Sequence, residues 1–259
     1  STGLFGDSFA IIKSNNSDSI FGLNGSGRAP MALSSNMLLS ERFEEIPLDS
    51  PHSVTIPGAV SLFEEIADKF GNLGLRELCK EPIKYADEGV VVSPRVSFDW
   101  DIHKKKLFGD SEKFYLDSGK PYKAGSLFKA PMQAEVFRQI AAHGAKGFYQ
   151  SDVTIDLVNS LRELGGVHTL ADFENVKVQY VDPIYANLKD GSTLIELPPN
   201  GQGITAVMMK KLMEFCNIER FSADSFERVH LEAEIAKIAY SARNNFIGDP
   251  YFSEIKQNI

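Results

Sequence analysis

The spacing of apolar residues changes period three times along this chain, and that succession restricts the fold more than any single motif. Residues 8–24 read as a β-hairpin: FAII and IFGL are apolar and β-prone, and the polar SNNSDS between them supplies turn chemistry. From Pro57 the period becomes helical, with Leu62, Phe63, Ile66, Ala67 and Phe70 on one stripe and Gly71 as the stop. Further helices are expected over 75–88, closed by Gly89, and after Ser93-Pro94, where Ser93 can cap the first turn. Two more are expected over 131–143, ended at Gly144, and over 152–164, with Asp152 as cap and Gly165-Gly166 as stop. Residues 109–130, rich in Gly, Ser, Lys and Pro, read as loop. Alternation returns in VKVQYVD and in STLIELP, the latter following a Lys-Asp-Gly turn. Helices over 203–216 and 222–246 complete the chain, the second with Phe226, Val229, Ile235, Ile238 and Ala239 on one side. Strands, helices, strands, helices is an α+β order rather than a βαβ alternation. No repeat or linker divides it, so a single domain over 1–259 is expected. In it the strands of the two ends share one sheet and the helical middle packs around them.

Charge and composition exclude several classes. A formal net charge of -8 opposes binding to nucleic acid or to an anionic membrane surface, since polyanions need a positive field. No apolar run reaches the ~20 residues that span a bilayer. The compartment stays open. Cys79 and Cys216 are far apart, each in an apolar helix-like stretch, and read as free thiols rather than a disulfide. The five histidines are scattered without ligand spacing, so neither a metal nor any other cofactor is expected. Nucleotide-binding glycine motifs are absent. Ser1 could in principle act as nucleophile and base through its own α-amine; a simple chain start is the plainer reading.

Two glycine-rich turns carry what chemistry there is. In NGSGRAP (24–30) the glycines let backbone approach a ligand, and the Arg28 guanidinium presents a planar fork suited to a carboxylate. A solvated surface turn is the competing reading. In PPNGQG (198–203), Asn200 and Gln202 can donate to an anion, or the segment simply connects a strand to a helix.

These turns and their surroundings resemble the γ-glutamyltransferase family. The likeness runs through GLFGDSFAII (3–12), NGSGRAP, SVTIPGAVSLFEEIADKFG (53–71) and EPIKYADEGVVVSP (81–94). It continues through HGAKGFYQSDVTIDLVNSLRELGGVHTLADFENVKV (143–178), ELPPNGQG (196–203) and HLEAEIAKIAYSAR (230–243). The resemblance implies an αββα N-terminal-nucleophile hydrolase fold, here an incomplete, large-subunit part. It also implies a precursor that cleaves itself, so that the new N-terminal Thr of a small subunit attacks a γ-glutamyl or other acyl-amide substrate. No segment resembles the cleavage site with that Thr, nor the helical segment the family carries upstream of Gly3. This chain alone is therefore expected to hold no catalytic residue. The family places its carboxylate-binding Arg four residues before the Pro of the first turn; Ser26 stands there, and Arg28 lies two residues before Pro30. PPNGQG likewise replaces a Ser-Ser-Gly-Gly often found in the family. Arg28 is thus the expected anion contact, Ser26 a hydrogen-bond donor, and Asn200 and Gln202 pocket-shaping residues. A cephalosporin-acylase-like amidohydrolase and a non-catalytic binding or assembly homologue remain as alternatives.

Overall fold

The computed structural model describes residues 3–15, 18–107 and 109–252. Ser1 and the two turn residues 16 and 17 lie outside that range. Among the described residues there are seven strands: β1 Ser8–Lys13, β2 Ile20–Gly25, β3 Val90–Val91, β4 Leu127–Phe128, β5 Gln179–Val181, β6 Ile184–Asn187 and β7 Thr193–Glu196. The backbone forms two compact units, Ser1–Gly6 with Gly27–Lys177 and Asp7–Ser26 with Val178–Ile259.

The first unit is helical. Its helix Ala59–Phe70 buries Leu62 and Ala67 of the stripe the sequence marks, together with Ala59 and Val60, while Ile66 and Phe70 are half-buried and Phe63 is exposed. Val60 packs in one cluster with Ile56, Cys79, Ile140, Val158, Phe173 and the fully buried Phe148. Burying a side chain of this size contributes about 1.5–3 kcal/mol, and Phe148 also sets its ring 5.2 Å from Phe5 and 5.0 Å from Tyr149. Tyr149 fastens the start of the helix. Its hydroxyl donates to Pro57 O at 2.8 Å and accepts from Ser61 N at 3.2 Å, one of the first-turn amides that has no carbonyl partner within the helix. Burial pushes the Tyr149 phenol up to about 12, and the Glu64 carboxylate acts in the same direction.

Several boundaries differ from the sequence expectation, each for a local reason. The segment 75–88 is two helices, Leu75–Leu78 and Lys80–Glu88. Pro82 has no N–H to continue the first helix, and it fits instead in the first turn of a new one. Ser151, not Asp152, caps Asp152–Glu163: its Oγ accepts from Val153 N at 3.3 Å. Residues 109–130 are not all loop, since Asp110–Tyr115 is a helix and Leu127–Phe128 pairs with Val90–Val91. An aromatic group holds that region, with Trp100 5.1 Å from Phe128 and 5.6 Å from Tyr122. Ser93 does cap Pro94–His103, accepting from Val96 N at 3.3 Å.

In the second unit β1, β2 and β5 form one antiparallel sheet in that order. Of the strands expected to share one sheet, the hairpin and the VKVQYVD segment do so, but STLIELP does not. β6 and β7 form a separate antiparallel pair. β7 runs through PPNGQG into the helix Gly203–Phe215, and that passage requires glycine: a Cβ on Gly203 would lie 2.5 Å from Leu197 O. The last helix, Phe226–Phe246, starts later than expected because Ser225 supplies the cap, its Oγ accepting from Arg228 N at 3.3 Å. Of the side chains expected on one face, Ile235 and Ala239 are buried, whereas Phe226, Val229 and Ile238 are exposed. Both cysteines are free, and burial pushes the Cys79 thiol up, which keeps it protonated and inert. Among the described residues no helix is long and apolar enough to cross a membrane.

Candidate functional site

The second unit brings two of the expected residues into direct contact. Asn24 lies on the central strand β2, opposite Phe9 of β1 and Gln179 of β5. Directly opposed residues share a face, so Asn24 projects from the face that carries Phe9 and, two residues on, Ile11. It is buried, and it bridges the two glycine-rich turns. Its Nδ2 donates to Asn200 Oδ1 at 2.9 Å, and its Oδ1 accepts from Ser26 N at 2.9 Å. Asn200 Nδ2 in turn donates to Ser26 Oγ at 3.0 Å. Ser26 Oγ is also 3.3 Å from Asn200 Oδ1, a longer contact. The Ser26 hydroxyl thus accepts from Asn200 Nδ2 and donates to Asn200 Oδ1, and donating to a ligand oxygen would mean giving up that longer bond.

Gln202 does not join this triangle. It is exposed, and its Oε1 accepts from Arg243 Nη1 at 3.1 Å. Arg243 is further held by Asn244 Oδ1, 3.0 Å from its Nε, and by the Tyr240 ring, 4.8 Å from its Cζ. Gln202, Gly201, Gly203, Glu196, Leu197 and Phe9 are among the residues lining a cleft of about 380 Å³. The strand beneath is pressed close, since a Cβ on Gly22 would lie 2.6 Å from Val181 O and 2.8 Å from Leu197 Cδ2.

Arg28 belongs to the other unit. Its side chain is exposed, and its backbone is fixed: its carbonyl accepts from Ile56 N at 2.9 Å. The neighbouring Gly27 tolerates no side chain, because a Cβ there would sit 1.4 Å from Ile56 O. Gly27 of NGSGRAP thus serves a close backbone approach, but the approached group is the chain's own Ile56 and not a ligand.

Sequence reasoning missed Asn24 and Arg243. Asn24 sat inside the quoted turn motif, where nothing in its spacing distinguished it from an ordinary turn residue. Arg243 closes the HLEAEIAKIAYSAR stretch, and its link to Gln202 spans 41 positions.

Over residues 1–259 the chain matches the family model described as gamma-glutamyltranspeptidase. The chain belongs to the γ-glutamyltranspeptidase family. It is 25% identical over 259 residues to the glutathione hydrolase proenzyme of Bacillus subtilis strain 168, a match covering 98% of this chain and 44% of that protein. The chain therefore spans less than half the length of this relative. Among solved structures it resembles the gamma-glutamyltranspeptidase of Helicobacter pylori with a TM-score of 0.89 at 25% identity, over 97% of this chain and 74% of that one. It also resembles the cephalosporin acylase of Bacillus halodurans with a TM-score of 0.86 at 27% identity, over 98% of this chain and 48% of that one. The fold is that of the N-terminal-nucleophile hydrolases, of which this chain carries the large-subunit part.

Proposed function

We propose that this polypeptide forms the large-subunit part of an enzyme that hydrolyses or transfers γ-glutamyl or related acyl groups. The attacking Thr is carried on a small subunit released from the same precursor. The observation that carries the reading is the family match along the whole chain, to relatives named as proenzymes. In such a mechanism the Thr α-amine, with a pKa of about 7.7–8.0, takes the proton of its own hydroxyl. The alkoxide attacks the amide carbonyl, the amine leaves with that proton, and water or a second amine resolves the acyl-enzyme. No metal or other cofactor is required.

Arg28 is assigned to the substrate carboxylate, with Ser26 as a hydrogen-bond donor. Asn200 and Gln202 are assigned to shaping the pocket. In the full-length protein, Arg28→Ala should raise KM for a γ-glutamyl anilide about tenfold to hundredfold, the loss of a charged hydrogen bond of about 1.5–3 kcal/mol. An unchanged KM removes Arg28 from the site. A second reading, an acylase acting on another N-acyl compound, is favoured by Ser26 standing where the family carries its arginine. Comparing kcat/KM for a γ-glutamyl anilide with that for an acyl anilide lacking the α-carboxylate separates the two.

A further inference from the structure

We propose that Asp172 is a positioning residue for Arg28, one carboxylate that fixes the turn presenting the guanidinium. The inference rests on the assignment of Arg28 made above. Arg28 and Ala29 are exposed, so packing holds this turn only at the buried Pro30, and hydrogen bonds hold it on either side. Upstream, the Gly27 approach and the bond from Ile56 N to Arg28 O hold one side of the turn. Downstream, Met31 N donates to Asp172 Oδ1 at 2.9 Å. The Met31 side chain is 78% exposed, so the backbone amide, not a buried side chain, marks this position.

The second oxygen of Asp172 does separate work. Oδ2 accepts from Thr169 N and from Thr169 Oγ1, both at 2.8 Å, in the capping box that opens the helix Leu170–Glu174. One carboxylate thereby joins the Arg28 turn to a helix start. The same segment braces the strand-like stretch behind Arg28. His168, fully buried, has Nε2 2.8 Å from Val54 O. A carbonyl only accepts, so Nε2 donates; Nδ1 has no hydrogen-bond partner among the described residues. Val54 and Ile56 are thus tied, respectively, to His168 and to Arg28. Burial works to raise the Asp172 carboxyl, but the bonds from Met31 and Thr169 outweigh it and hold the group below its ordinary value. It stays an anion with two acceptor oxygens serving three donors. An asparagine would turn an NH2 toward one of them.

The test uses the full-length protein and separates the two oxygens. Thr169→Val weakens the capping box and leaves the Met31 bond. It should lower Tm and keep KM for a γ-glutamyl anilide within about twofold of wild type. Asp172→Asn should lower Tm to a similar extent and raise KM about tenfold, with kcat changed much less. On an acyl anilide without the α-carboxylate, Asp172→Asn should behave like wild type, which a purely structural defect would not do. Asp172→Asn combined with Arg28→Ala should match the KM of Arg28→Ala alone, because the two act through one contact. If Asp172→Asn fails to fold, Asp172→Glu, which keeps the charge one methylene displaced, is read in the same way. Fully additive effects, or a wild-type KM in the folded Asp172 variants while Arg28→Ala raises it, overturn the proposal and spare the Arg28 assignment. An Arg28→Ala protein with unaltered KM overturns both.

Discussion

Replacing Tyr149 by Phe deletes one oxygen from a well-filled core and should expose how the turn at Ile56-Pro57-Gly58 is held. The hydroxyl makes a 2.8 Å bond to Pro57 O and receives a 3.2 Å bond from Ser61 N. Pro57 is fully buried, and Tyr149 is only 6% exposed. Neither the carbonyl nor the first-turn amide gains water easily when the oxygen is gone. Two such groups left unpaired cost about 2–4 kcal/mol together. The pH dependence supplies an independent check. A group whose folded pKa is raised contributes stability that is complete below its unfolded value, here 10.0, and is lost as the pH climbs to the folded value of about 12. The whole interval is worth about 3 kcal/mol at 1.36 kcal/mol per unit. Urea denaturation of the full-length protein at pH 8 should therefore show Tyr149→Phe weaker by that order. By pH 11 the deficit should have shrunk by about 1 kcal/mol, since the phenol of the wild type is then strained against ionisation and the variant has none. A deficit that is absent at pH 8, or constant between pH 8 and 11, would refute the reasoning.

Further outcomes are expected at the turns. Asn24→Ala removes the side chain that bonds both Ser26 N and Asn200 Oδ1, leaving the two turns only their direct contact, and should cost about 1–3 kcal/mol in denaturant melts, with a raised KM as both partners lose their alignment. Gly27→Ala should abolish soluble folded protein, because the added Cβ would overlap Ile56 O; a normal Tm would contradict the close approach. Asp172, held below its ordinary 3.8, contributes stability that is present above that value and lost as the pH falls through the folded one. In acid melts the gap between wild type and Asp172→Asn should accordingly close below about pH 4.

What the sequence reveals follows from how far apart the deciding residues lie. The hairpin at 8–25 and the helices at 59–70, 94–103 and 131–143 carry their period, caps and stops within a few residues, so they can be read locally. The helix Asp110–Tyr115 cannot: its composition is that of a loop, and it sits beside a remote aromatic group around Trp100 and Phe128. The exposure of Phe226, Val229 and Ile238 shows the converse, an apolar spacing that is real while no described residue covers it. In the turns, the resemblance points to Ser26 and the composition of PPNGQG to Asn200, and the two do meet. Neither could pick out Asn24, whose role exists only because β2 runs beside the PPNGQG turn. Nor could they show that Gln202 pairs with Arg243 rather than with Asn200.

The sheet built from both ends of the chain imposes an order on synthesis. Asn24 and Asn200 are 176 positions apart, and β2 meets β5 only after the whole of Gly27–Lys177 has been made. Contacts of such long range form late, because closing the intervening loop costs entropy before any pairing rewards it. The first hairpin therefore leaves the ribosome long before its third strand exists, while the intervening helices can already collapse on Phe148. During that interval the backbone of β2 from Gly22 to Asn24 is an open edge awaiting its neighbour, and this is where the nascent chain would most need a chaperone's cover.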